Sequence, residues 1–199
     1  MDKYAITITR QFGSMGRPIA KRMAEILNIN FYDRDIVEET AKQLELPIST
    51  VSEDEETIKT SLFDMTRPLG SGNENIKNVI FETQAKIIQD IATRESCIIV
   101  GRCSDYVLKN FPNVINIYIY APDDIRYNSC INLLMMKPSE ARRKIDEVDK
   151  ARRNYHKKYA GYYPEDISHK DILVDSSKLG IEGTAKYLVD YVRARFENV

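Results

Sequence analysis

The chain has 199 residues, 43% of them hydrophobic, and a formal net charge of −1. That length suits one α/β domain with a proper core, the apolar content argues against general disorder, and the near-neutral charge argues against a general nucleic-acid or membrane-surface binder. The first residues carry no charged-then-apolar leader, no apolar run reaches membrane-spanning length, and Cys97, Cys103 and Cys130 form no metal spacing, so the expectation is a cytoplasmic protein with reduced thiols.

The segment "YAITIT" (Tyr4 to Thr9) is short, apolar and β-branched, which suits a buried strand. A turn, Gly13 to Gly16, follows, and then Ile19, Met23, Ile26 and Leu27 repeat at helical spacing with Pro18 in the first helical turn. "INFYD" (Ile29 to Asp33) reads as a second strand, followed by a helix marked by Ile36, Val37, Ala41 and Leu44. The acidic run Glu53 to Glu56 reads as a solvated face, and "RPLGSGNEN" (Arg67 to Asn75) as a mobile loop. Ile76, Val79, Ile80, Ile87 and Ile91 form one face of a long helix. "CIIVG" (Cys97 to Gly101) and "VINIYIYA" (Val114 to Ala121) are continuous apolar runs of the kind found in central parallel strands. A polar, basic helical region covers Pro138 to Lys158, "DILVD" (Asp171 to Asp175) is the last strand, and Ile181, Ala185, Leu188, Val189 and Val192 line a closing helix.

Strands separated mostly by helices imply βαβ units, a parallel sheet and right-handed crossovers, with ligands at the carboxyl ends of the strands. Candidate sites therefore follow Thr9, Phe31, Val100, Ala121 and Val174. The turn after the first strand, "RQFGSMGR", is the first of them. A helix N-terminus offers unpaired N–H groups and partial positive charge, and glycine lets a phosphate come close. Gly13, Ser14 and Gly16 supply the backbone, and Arg17 adds a forked cation. The usual G-x-x-x-x-G-K-[ST] pattern is not met: Phe12 stands where the first glycine belongs, and Pro18 has no hydroxyl for Mg²⁺. On its own the stretch is equally a tight structural turn. A nicotinamide-dinucleotide reading also exists, because Asp33 lies about twenty residues past Gly13, but the turn lacks the G-x-G-x-x-G glycine that admits a pyrophosphate.

Together with this turn, "FYDR" (Phe31 to Arg34), the Gly-Arg pair inside "IIVGRCSDYVLKNFPNVINIYIYA", and "DEVDKARRNY" (Asp146 to Tyr155) ahead of "DILVDSSKLGIEG" (Asp171 to Gly183) resemble the bacterial cytidylate kinases, and most closely the cytidylate kinase-like family. The resemblance implies a single P-loop kinase-like α/β domain over residues 1–199: a three-layer fold with a five-stranded parallel sheet of order 2-3-1-4-5, a helical monophosphate-binding insert at about 45–95 and a lid at about 138–168. It implies transfer of the ATP γ-phosphoryl to a nucleoside monophosphate or similar small acceptor, with Mg²⁺, small-molecule nucleotide partners, and neither nucleic acid nor membrane. Residue by residue, Gly13, Ser14, Met15, Gly16 and Arg17 fall on the donor-phosphate loop. Asp33, Arg102, Asp149 and Arg152 fall on acceptor-binding positions. Arg17, Arg152 and Arg142 are the candidate catalytic cations.

Phosphoryl transfer needs positioning and positive charge more than covalent help, which suits arginines. Without the resemblance, Arg142, Arg143, Arg152 and Arg153 read as a solvated helix paired with Glu140, Asp146 and Asp149, and Asp33 reads as a helix cap. The chain departs from the family pattern at Arg17 for lysine, at Pro18 for a small residue, at Cys103 for the aspartate of a Gly-Arg-Asp motif, and at Ile145 for a lid arginine. The Mg²⁺ ligand is therefore unassigned, with Ser14, a carboxylate or water as substitutes. Pro18 also motivates an alternative: a non-catalytic nucleotide sensor that keeps the fold. Tyr155, Tyr159, Tyr162 and Tyr163 read as packing or base-stacking residues, and His156 and His169 receive neither a metal nor a catalytic role.

Overall fold

The computed structural model describes residues 3–48, 50–51 and 72–196. Strands β1 (Ala5–Arg10), β2 (Asn30–Tyr32), β3 (Cys97–Val100), β4 (Val114–Tyr120) and β5 (Ile172–Asp175) form one sheet in the order β2-β3-β1-β4-β5. Every neighbouring pair is parallel, with Ile6 opposite both Ile98 and Ile115. Parallel strands need crossovers, and helices supply them: α1 (Gly16–Leu27), α2 (Arg34–Leu44), α3 (Gly72–Arg94), α4 (Ser104–Val107), α5 (Asp123–Asn132), α6 (Pro138–Ala160) and α7 (Gly180–Phe196).

Side chains alternate between the two faces of a strand, so the apolar runs feed two cores. On one face, Ile6, Ile8, Ile98, Val100, Ile117 and Ile119 pack with Ile19 and Met23 of α1 and with Leu188, Val189 and Val192 of α7. On the other, Ala5, Cys97 and Ile99 pack with Ile36 of α2 and with Ile87, Ile88 and Ile91 of α3. The result is helices, sheet, helices, and it leaves the carboxyl ends of β1, β2 and β3 side by side.

Several expectations from the sequence change. Residues 72–75, expected in a loop, are the first turn of α3; residues 67–71 and the acidic run lie outside the described residues. Within α3 the buried face is Ile80, Gln84, Ile87, Ile88 and Ile91, whereas Ile76 and Val79 are exposed, because nothing among the described residues covers the first turns. Helices α4 and α5 were not anticipated, being short and weakly patterned. The tyrosines at the end of α6 and just beyond it pack: Tyr159 stacks on Phe81 at 4.1 Å, Tyr162 stacks on His169 at 3.6 Å, and Tyr155 donates to Gln84 at 3.0 Å. No helix among the described residues is long and apolar enough to cross a membrane.

Candidate active site

β1 ends in Arg10, and the chain turns at Gly13 and Met15, both left-handed with φ +79° and +62°, before α1 begins at Gly16. Gly13 is required here: a Cβ would lie 2.8 Å from the Arg126 carbonyl oxygen and 3.1 Å from the Cys130 sulfur. The turn is fastened to the end of β4. Gln11 N–H donates to the Ile119 carbonyl at 3.0 Å, and the Gln11 side chain accepts from Ala121 N–H at 3.1 Å. The N–H groups that open α1 have no intrahelical partner and carry the positive end of the helix dipole. Pro18 sits in that first turn, where a missing N–H costs nothing.

Ser14 behaves otherwise than expected. Its hydroxyl is buried and donates inward, toward the carbonyls of Gln11 at 2.9 Å and Ile119 at 3.2 Å, while its own carbonyl accepts from Ser176 at 2.7 Å. These bonds tie the turn to the sheet. Asp149, expected in the acceptor site, instead holds the turn from α6: it accepts the Phe12 N–H at 2.7 Å and Arg126 Nη1 at 2.5 Å. Arg126, from α5, also reaches the Phe12 carbonyl at 3.3 Å and Asp123 at 2.5 Å. Phe12 is thus gripped at both its N–H and its C=O, which belong to two successive peptide units of the turn.

At the end of β3, Gly101, Arg102 and Cys103 all lie in the left-handed region, at φ +79°, +60° and +52°. Two consecutive non-glycine residues there store strain of the kind found at ligand sites. The Arg102 guanidinium, nearly buried, turns back to Asp33: Nη2 donates to the Asp33 carbonyl at 3.3 Å and lies 3.6 Å from its carboxylate. Burial, with Arg10 and Arg17 nearby, pushes Arg102 down to about 10 against the pull of Asp33. Asp33 stands at the start of α2 but caps nothing with its side chain; its carboxylate binds Arg17 Nε at 2.7 Å.

These groups line one cleft of about 950 Å³. Its walls carry six cationic side chains, Arg10, Arg17, Lys21, Arg34, Arg102 and Arg152, against two carboxylates, Asp33 and Glu38, among the described residues. In a chain of net charge −1 this is a local concentration of positive charge, able to hold a multiply charged anion. Arg152, on α6, donates to the Arg10 carbonyl at 3.5 Å. Arg142 is not brought in: it is exposed, ten residues before Arg152 or nearly three turns away on α6, with its guanidinium over the Tyr127 ring at 4.7 Å. Arg143 and Arg153 pair with Glu147 and Glu165, partners other than the Glu140, Asp146 and Asp149 that the solvated-helix reading names.

The donor set does not fit a protein-held Mg²⁺. Position 18 is proline, the Ser14 hydroxyl faces inward, and Asp33 is engaged by two guanidinium groups. No group of three His, Cys, Asp or Glu side chains that could hold a metal ion occurs among the described residues.

Beneath the strained turn lies a buried polar cluster that the sequence did not reveal. Asp105 meets His156 Nε2 at 3.0 Å and pairs with the fully buried Lys170, while His156 Nδ1 faces the Tyr162 carbonyl at 3.0 Å. Burial alone would raise the Asp105 carboxyl; the His156 hydrogen bond and the Lys170 ammonium outweigh it and hold it well below the usual carboxylate range. Arg10 and Arg126 were also missed. An arginine ending a buried strand at the ligand edge was the signal used for Arg102, and it applies equally to Arg10.

Among solved structures, an uncharacterized protein from Eubacterium ventriosum ATCC 27560 is 24% identical, with a TM-score of 0.74 and 97% of this chain and 100% of that one covered. A shikimate kinase from Bacteroides thetaiotaomicron is 15% identical, with a TM-score of 0.55 and 98% of each chain covered. A gluconokinase from Sinorhizobium meliloti 1021 is 11% identical, with a TM-score of 0.51 and 97% of each covered. The fold is therefore that of the P-loop kinases. No curated protein matches the chain. The model of the cytidylate kinase-like family matches residues 5–178, and with the turn, the Gly-Arg pair and the strand order all in place, the chain belongs to that family.

Proposed function

We propose that the protein is a phosphotransferase that moves the γ-phosphoryl group of ATP to a nucleoside monophosphate. The observation that carries this reading is the convergence of Arg17, Arg102 and Arg152, from three separate elements, on a cleft headed by the first N–H groups of α1. In this reading those N–H groups, from Met15 to Arg17, hold the donor phosphates with the Arg17 guanidinium. Arg102 and Arg152 hold the acceptor phosphate, and Asp33 sets the direction of Arg102 and accepts from the acceptor sugar. Asp149 serves indirectly, by fixing the turn. Mg²⁺ would arrive on the nucleotide, with its shell completed by phosphate oxygens and water.

The chemistry needs little else. The bond from the γ-phosphorus to its bridging oxygen breaks, ADP keeps the electron pair, and an acceptor phosphate oxygen forms the new bond. A phosphate dianion brings no proton to remove, so no general base is required, and fixed positive charge is the main contribution. The lid expected at about 138–168 includes α6, which carries Arg152; its approach would exclude water from the cleft.

The test is product formation from ATP and Mg²⁺ with a panel of nucleoside monophosphates, to which shikimate and gluconate are added because two structural neighbours are named for them. At least one nucleoside monophosphate should be phosphorylated; product from shikimate or gluconate alone would keep the transferase reading and replace the acceptor. Pro18 and the inward Ser14 hydroxyl favour a second reading, a nucleotide sensor. ATP binding with no product from any acceptor would establish it instead, and thermal protection by NAD rather than ATP would overturn both.

A further inference from the structure

Arg10 is placed with unusual care. Its stem lies against Gly16, where a Cβ would come within 2.7 Å of the Arg10 Cβ and 3.0 Å of its Cγ. Its guanidinium lies against Gly101, where a Cβ would come within 2.5 Å of Nη1. Two glycines from separate segments, the first residue of α1 and the residue after β3, thus leave the groove this side chain fills. The contacts at Gly16 are with the stiff base of the side chain rather than its flexible tip, so the stem has a single path from the strand end to the strained turn.

That path crosses the boundary between the two halves of the site. Arg10 lines the large cleft beside Gly13, Gly16 and Arg17, and also a smaller cavity of about 50 Å³ beside Arg102, Cys103 and Arg152. Arg17, the cation that the sequence motif supplies, is drawn sideways to Asp33 at 2.7 Å. We propose that Arg10, placed between the two cavities, binds the γ-phosphoryl group of the donor and supplies charge at the point of transfer, where no group of three His, Cys, Asp or Glu side chains that could hold a metal ion occurs among the described residues. This rests on the kinase reading above. It adds a residue that neither the turn motif nor the resemblance assigns.

A cation that touches only the γ-phosphoryl group should distinguish ATP from ADP, whereas a residue that merely packs the turn should affect both alike. The experiment is calorimetric titration of wild type, Arg10→Gln and Arg10→Lys with ATP and with ADP, with the melting temperature of each variant recorded. Arg10→Gln should bind ATP about 10-fold or more weakly while its ADP affinity stays within about 2-fold of wild type. Arg10→Lys should fall between the two for ATP, since charge remains but the fork is lost. An unchanged ATP-to-ADP ratio, or an equal loss for both nucleotides, overturns the proposal. If Arg10→Gln does not fold, the same two outcomes are read from Arg10→Lys. If wild type binds ATP yet phosphorylates nothing, the kinase reading fails, while the ratio still decides the role of Arg10.

Discussion

Asp149 accepts the backbone N–H of Phe12 at 2.7 Å through one carboxylate oxygen and Arg126 at 2.5 Å through the other. Because Arg126 also reaches the Phe12 carbonyl, helices α5 and α6 act together as a clasp on the turn that precedes α1. Asp149→Ala removes the acceptor of a loop N–H and leaves a nearly buried guanidinium with only Asp123 and the Phe12 carbonyl. The expected loss is about 2 kcal/mol, below the figure for a fully buried pair because Asp149 is partly exposed and Asp123 remains. Denaturant unfolding measures it; a stability equal to wild type would mean the clasp contributes nothing.

Arg17 and Asp33 pull in opposite directions on an anion. Arg17→Ala should weaken ATP binding by about 10- to 100-fold, by loss of a charge-assisted contact. Asp33→Asn should tighten it, because the amide no longer holds Arg17 at 2.7 Å or balances Arg102. Opposite signs in calorimetry are the expected result. The same sign for both variants would show that the pair is structural and that ATP does not meet it.

The sheet was legible because its strands are unbroken β-branched runs bounded by turns, and "CIIVG" could hardly be anything but a buried strand. The clustering of Arg102 with Asp33 was legible only through resemblance: the contact spans 69 residues and depends on three left-handed residues in a row. The direction of the Ser14 hydroxyl was not legible, because only the register of β4 brings the Ile119 carbonyl within its reach. The hold of Asp149 on the turn was not legible either, since one of its partners is a backbone N–H at position 12, and no side-chain pattern encodes a backbone N–H. Lys170 carries no periodic signal, and its burial follows from where β5 joins the sheet.

Arg102 is a charge kept at some cost. Burial and its neighbouring arginines push its guanidinium down to about 10, so the folded state gives up that proton before the unfolded state does. The sign follows: its cost is present at neutral pH and fades as pH rises past about 10. Arg102→Met should therefore leave the melting temperature of the ligand-free protein equal to or above wild type while impairing acceptor use more than donor binding. A marked fall in melting temperature, or equal loss of donor and acceptor, would count against this placement.

Asp105 has the opposite sign. His156 and Lys170 hold its carboxyl below the usual range against the effect of burial, so the folded state resists protonation more than the unfolded chain, whose Asp titrates near about 4. The stabilisation is complete above that value and declines as pH falls through it toward the native pKa. Asp105→Asn leaves the Lys170 ammonium and the His156 ring facing an amide in the interior, at an expected cost of about 3–5 kcal/mol at pH 7. Below about pH 4 wild type should lose stability through this group while the variant does not, so the gap between the two should narrow. Denaturant unfolding of both proteins at pH 7, 5 and 3 checks this. A gap of constant size across that range would mean that Asp105 acts through packing alone, and that its charge does not hold the strained turn bearing Arg102 to α6.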